Sequence, residues 1–241
     1  MRTRLFLFTI GLAIALVAGG CNKKSSSPTS PQTTTPTFPL VTIKGPNTNS
    51  TDVYAQTTKA TCSSVSALTT PAFLGALITV NPTQNGNTWT WTATEGTLSI
   101  TSTATKQSDG SYTWSATLNG MDPQDSVVYN NWVALTGSSS ADGKSGDFKS
   151  YNINVTTLEG DFIWTTNASG VLTATLQSYS SNGTTVTGKI VITNNTDNSG
   201  ELDEYTGTVL VFKSTWVTAG SGTWWTYDQS SGAQTGTGTW T

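Results

Sequence analysis

The chain has 241 residues, with 11 Lys and Arg against 14 Asp and Glu, a net charge of −3 and no histidine. That balance excludes a nucleic-acid binder working through a clustered basic face, and the lack of histidine excludes Ser-His-Asp and Cys-His chemistry together with the usual zinc ligands. Charged residues make up only 10%, far below the ~25% of an average soluble domain, and Thr, Ser, Gly and Asn take their place.

Arg2 and Arg4 form a positive start, Leu5 to Val17 is an apolar run of 13 residues, and the small residues Ala18-Gly19-Gly20 lead directly into Cys21. The run is shorter than the ~20 apolar residues of a relaxed membrane span and reads as a secretory signal. The small residues followed by Cys21 resemble the lipobox of bacterial lipoproteins, with Ala18 standing where that family prefers Leu. The resemblance implies that residues 1–20 are removed and that Cys21 is diacylated as the new N-terminus. The membrane is then a partner through this anchor, and the site of action is the bacterial cell envelope, facing the periplasm or the cell surface. Without Arg2 and Arg4, nine basic groups face fourteen acidic ones, a charge of −5.

Residues 21–52 are rich in Ser, Thr, Pro and Asn, with Pro28, Pro31, Pro36 and Pro39 favouring extended backbone. This composition predicts a disordered tether after the lipidated cysteine, with a folded domain from 53 to 241. Lys23-Lys24 is too small a charge cluster to define a lipid contact. With Cys21 acylated, Cys62 has no partner in the chain, and its neutral surroundings predict a small buried residue rather than a reactive thiol.

Between Val53 and Val80 the pattern suits a short helix or an irregular plug, centred on Ser63–Leu68 or on Ala72–Ile78 after Pro71. From Thr88 onward the period is two: Trp89-x-Trp91-x-Ala93, Leu98-x-Ile100, Tyr112-x-Trp114-x-Ala116-x-Leu118, Tyr151-x-Ile153-x-Val155, Leu172-x-Ala174-x-Leu176, Val186-x-Gly188-x-Ile190-x-Ile192 and Val209-x-Val211. Threonine fills many intervening positions, as suits a solvated sheet face. Asp109-Gly110, Asp142-Gly143, Asn182-Gly183 and Ser199-Gly200 are hairpin signals. The expected class is all-β, an antiparallel meander of about ten strands closing into a lipocalin-like soluble barrel, with a curled open sheet or a β-sandwich as alternatives. Trp240 is expected to be pinned in a last strand that helps the closure. An internal echo links Trp91, Gly96 and Asp109-Gly110 to Trp164, Gly170 and Asn182-Gly183, and Gly146-x-Phe148 to Gly222-x-Trp224, as a duplicated sheet unit would.

Asp122 with Asp125, and Glu159 with Asp161, sit in turn-like sequence and are read as solvated turn residues. Asn195, Asp197 and Ser199 alternate before Gly200 as calcium ligands do, but Thr206 stands where the bidentate Glu belongs. They are a weak metal candidate beside an ordinary polar turn. No catalytic residue and no cofactor is indicated, so the chain reads as a non-enzymatic protein. Its nine Trp supply either a core or a ligand cavity. Closure would turn Trp89, Trp91, Tyr112 and Trp114 inward around a hydrophobic or amphipathic small molecule, with Gly188 opening space. The adjacent pair Trp224-Trp225 is a further candidate for ligand binding, because at least one of its rings leaves the common face unless a bulge intervenes. The rival expectation is a structural or envelope-interaction lipoprotein with a filled core and no ligand site.

Overall fold

A computed structural model describes residues 34–68, 81–124 and 126–241. Among the described residues one helix, α1 (Val53–Leu68), precedes thirteen strands: β1 (Thr83–Asn85), β2 (Thr88–Glu95), β3 (Leu98–Lys106), β4 (Tyr112–Met121), β5 (Val128–Ser139), β6 (Ser145–Tyr151), β7 (Leu158–Thr166), β8 (Leu172–Tyr179), β9 (Val186–Asn194), β10 (Gly200–Thr206), β11 (Val209–Trp216), β12 (Gly222–Tyr227) and β13 (Gln234–Trp240). Each strand pairs antiparallel with the next, so the sheet order is the chain order from β1 to β13. The all-β meander is as expected, with more strands than the apolar alternation marked. Residues 1–20, expected to be a signal, Cys21, expected to be lipidated, Ala72–Ile78 and Asp125 lie outside the described residues.

The barrel expectation is corrected. Among the described residues β1 pairs only with β2 and β13 only with β12, so the sheet is open. Closure would join a three-residue, fully exposed β1 to a seven-residue β13, and most of their edge groups would stay unpaired. The inner face is instead covered from within the chain. Residues 34–52 run extended across it as a strap, burying Phe38, Val41 and Ile43. The part of the expected tether that is described therefore belongs to the folded body. Phe38 stacks on Phe148 of β6 with ring centroids 4.6 Å apart and meets Trp114 of β4 edge-on at 5.2 Å. Further along, the Asn194 side chain on β9 acts as a short strand partner: its Oδ1 accepts from Lys44 N at 2.8 Å and its Nδ2 donates to Lys44 O at 2.7 Å.

At the end of the strap Asp52 caps α1, its Oδ1 accepting from Tyr54 N and Ala55 N at 2.9 and 3.0 Å. Ala55, Thr58, Cys62 and Val65 form the buried stripe at helical spacing. The stripe lies over the C-terminal strands: Tyr54 stacks on Trp224 at 3.9 Å and on Phe212 at 5.9 Å, and Thr58 Oγ1 lies 2.9 Å from Ser214 Oγ. Gly45 crosses the helix so closely that a Cβ there would lie 3.1 Å from Cys62 Cβ and 3.2 Å from Lys59 Cα. Burial pushes the Cys62 thiol up to about 12, with the neighbouring Glu204 charge adding to the effect. At neutral pH it is therefore a small buried group, as expected.

Inside the sheet, indole rings lie over glycines of the preceding strand. Trp164 covers Gly146, Trp216 covers Gly200 and Trp240 covers Gly222, each glycine so close that a Cβ would collide with the ring. Each indole then donates to a carbonyl in the preceding turn: Gly143 O at 3.0 Å, Asn198 O at 3.0 Å and Gly220 O at 2.7 Å. This satisfies a polar tip that burial would otherwise strand. The echo between Gly146 and Gly222 thus has a packing basis, because their covering residues Trp164 and Trp240 stand in the same relation to them. The hairpins repeat a tight turn with a left-handed residue: Gly110, Gly170 and Gly220 at φ 88, 80 and 94°, and Asn198 at 67°.

Two local expectations fail for a stated reason. Tyr151-Ile153-Val155 is not a strand: β6 ends at Tyr151, Asn154 is left-handed at φ 59°, and Ile153 and Val155 are exposed in the turn to β7. Gly188 opens no space, because a Cβ there would lie 2.9 Å from Ser178 Oγ.

Candidate functional site

The structure brings Trp89, Trp91, Tyr112 and Trp114 together on the covered face of β2 and β4. Trp91 stacks on Trp114 at 6.4 Å, Tyr112 lies 5.9 Å from Trp114, and Trp89 lies 6.3 Å from Tyr112. Their surroundings are filled. Trp89, Trp91 and Trp114 are buried, Phe38 of the strap closes on Trp114, and Trp114 Nε1 donates to Ser139 Oγ at 2.9 Å. Tyr112 lines a groove of about 530 Å³ between the start of the strap and the β5–β6 turn. Trp224 is not in this group; it lies on β12 between Tyr54 and Gly238. Its neighbour Trp225 points to the opposite face, in register with Lys213 of β11.

At the calcium candidate the side chains form a hydrogen-bonded polar turn. Asp197 Oδ1 accepts from Ser199 N at 3.0 Å and Ser199 Oγ at 2.6 Å, and Asn195 Nδ2 donates to Ser199 Oγ at 2.9 Å. The three side chains are turned on one another, and the Ser199 hydroxyl is the main cause holding the Asp197 carboxyl below its usual range. Among the described residues no group of three or more Cys, Asp or Glu is arranged to hold a metal ion.

What the sequence reading missed lies on the other, bare face. There β2, β3 and β4 present hydroxyls in register, Thr90 beside Thr103 beside Ser115 and Thr92 beside Thr101 beside Thr117. Thr103 Oγ1 and Ser115 Oγ are 2.9 Å apart. From β6 onward the same face carries charge. Lys149 Nζ bonds Asp147 and stands 3.7 Å from Asp161 Oδ2. Lys213 Nζ bonds Glu201 at 2.7 Å and Asp203 at 3.3 Å, and Lys189 Nζ sits 3.9 Å above the Tyr205 ring. Around them the Tyr151 hydroxyl meets Thr136 Oγ1 at 2.8 Å and the Tyr179 hydroxyl donates to Gln177 Oε1 at 3.0 Å.

Asp161, read from sequence as a turn residue, is the buried centre of this region at 6% exposure, and its Oδ1 has no hydrogen-bond partner among the described residues. Burial raises its carboxyl, with Lys149 offsetting only part of the effect. At Asp147 burial also opposes ionisation, but hydrogen bonds from Lys149 and Ser138 outweigh it and hold the group below its usual value. These ion pairs are partly buried, and the cost of desolvating the carboxylates offsets much of their mutual attraction. The available signal was the i, i+2 spacing of Asp147 with Lys149 and of Glu201 with Asp203, which puts each pair on one face of a strand. Compared with known proteins, the chain matches no family model and no curated protein.

Proposed function

We propose that this chain is an exported lipoprotein of the bacterial envelope, anchored through Cys21, whose sheet domain is an interaction scaffold rather than an enzyme or a small-molecule carrier. The observation that carries this reading is the self-filled covered face. The strap, α1 and the glycine-seated indoles occupy the space a lipocalin-like barrel would offer to a guest. Recognition then falls to the bare face, with its ordered hydroxyls and its charged and phenolic side chains. A hydrophobic or amphipathic ligand remains a second reading, favoured by the groove beside Tyr112.

The test is a titration of fatty acids and a hydrophobic dye against chain carrying Cys21→Ser, followed by Trp emission. No saturable change is expected. A saturable quench that Tyr112→Ala abolishes would place a ligand in the groove and overturn the scaffold reading. In cells, Cys21→Ser should abolish lipid labelling; labelling that survives it would remove the anchor.

A further inference from the structure

Where the strap crosses α1, a polar groove of about 390 Å³ opens. Three parts of the chain wall it: Lys44 and Asn47 of the strap, Lys59 and Ser63 of α1, and Asn198 and Thr218 in the turns after β9 and β11. Gly45 makes the crossing close, since a Cβ there would lie 3.2 Å from Lys59 Cα. Its neighbour Lys44 is thereby brought to the same groove as Lys59. Elsewhere Lys144, Lys149 and Lys213 pair with carboxylates and Lys189 covers the Tyr205 ring. In the groove the acceptors are neutral: Lys44 Nζ donates to Asn198 Oδ1 at 2.7 Å and Lys59 Nζ to Thr48 O at 3.2 Å. Among the described residues neither lysine forms an ion pair and no carboxylate lines the groove. Asp197, beside Asn198 in the chain, is bonded by Ser199 and Thr218 instead.

We infer that this groove is a binding site for a phosphate group, carried by a lipid headgroup or by a soluble phosphate. An ammonium has three donors and no acceptor, so each lysine keeps hydrogens for a ligand after its one bond to the protein. The bond from Lys44 also fixes the Asn198 amide with its oxygen towards the ammonium, which leaves the Asn198 NH2 as a donor. Asn47 adds a second amide, with no side-chain bond among the described residues. The Lys44 position is set before any ligand arrives, because the Asn194 side chain holds both its N–H and its carbonyl. A concave site lined by one sign of charge concentrates the opposite ion. A phosphate group, with as many as about two negative charges and several acceptor oxygens, answers both ammonium groups at once. The net acidity of the chain opposes this only weakly, since charges beyond ~8 Å are screened at physiological salt. A headgroup is at hand for a chain anchored as proposed above; a soluble phosphate requires no anchor.

The test follows backbone amides by NMR in the full chain with Cys21→Ser. Inorganic phosphate is titrated at constant ionic strength set with sodium chloride, and acetate is titrated in parallel. A saturable shift confined to the groove is expected from phosphate and not from acetate. Lys44→Gln and Lys59→Gln should each weaken binding about tenfold, through loss of one charge-assisted bond. Lys106→Gln, outside the groove and without an ion pair, should leave it unchanged. The unfolding midpoint should hold in both groove variants, because Asn194 grips only the Lys44 backbone and Lys59 is exposed on α1. Sedimentation with phosphatidylglycerol or phosphatidylcholine vesicles separates the two sources. Pelleting with phosphatidylglycerol that both groove substitutions reduce assigns a lipid headgroup; phosphate shifts without such pelleting assign a soluble phosphate. Shifts that acetate reproduces, or that survive both groove substitutions, would overturn the site. So would pelleting that Lys106→Gln reduces equally, or neither a saturable phosphate shift nor lysine-dependent pelleting.

Discussion

On the covered face of the sheet a side chain meets a ring or a glycine; on the bare face the next residue of the same strand meets a hydroxyl or an opposite charge. Trp164 and Thr165 are adjacent in β7. The indole of Trp164 is seated on Gly146 and bonded to Gly143 O, while Thr165 faces Ser145 and Thr173 across the sheet. The covered face tolerates little change where Trp164, Trp216 and Trp240 require a missing Cβ opposite them. The bare face is built from groups that are individually replaceable, as the recognition role proposed for it requires. The bare face is itself divided, hydroxyls over β2 to β4 and ion pairs over β6 to β11.

The largest expected effect breaks the covered side. Trp164→Ala should cost about 3–5 kcal/mol in denaturant unfolding, since it removes a core ring and leaves Gly143 O and Gly146 uncovered. Next comes Gly200→Ala: its Cβ would meet the Trp216 ring and the Thr193 carbonyl, at a cost of about 1–3 kcal/mol from overpacking. Smaller, and opposite in sign, is Glu204→Gln. Glu204 accepts a hydrogen bond from Thr61 Oγ1 at 3.1 Å beneath α1, and burial raises its carboxyl. The folded chain therefore holds this proton more tightly than the unfolded chain. Stability from this group is present at acid pH and is lost as pH rises from the ordinary Glu value through the raised one. The variant should gain about 1 kcal/mol near neutrality and lose that gain below the window, as thermal melts at several pH values would show. Thr101→Ala on the bare face should change stability by no more than about 0.5 kcal/mol. A larger cost there would mean that the hydroxyl rows, too, hold the fold together.

The sheet was legible because alternation is a local signal. Tyr112-x-Trp114-x-Ala116-x-Leu118 shows its buried side directly, and the same four positions are the inward residues of β4. The strap was not legible, because Phe38, Val41 and Ile43 are few apolar residues among Thr and Pro, and only the tertiary surface beneath them makes their burial favourable. The length of α1 was hidden for a related reason: its buried stripe is Ala55, Thr58, Cys62 and Val65, which contrasts weakly with the Ser, Thr and Lys around it. In β5, register shifts against β4 bring both Tyr129 and Trp132 to buried positions, stacked at 5.3 Å, and so erase the period of two. The expected ligand residues were correctly grouped in part, since alternation set Trp89 with Trp91 and Tyr112 with Trp114. Whether such a group surrounds a void or a neighbour depends on Phe38, 51 residues before Trp89 in the chain.

The most direct measurement is hydrogen exchange at the indole Nε1–H groups of the native chain by NMR. Trp164, Trp216 and Trp240 donate to turn carbonyls beneath the strap and helix, whereas Trp225 stands on the bare face. The first three signals should persist long after the Trp225 signal has exchanged. If all four exchange at the same fast rate, the covered face is open to solvent and the filled scaffold described above is contradicted.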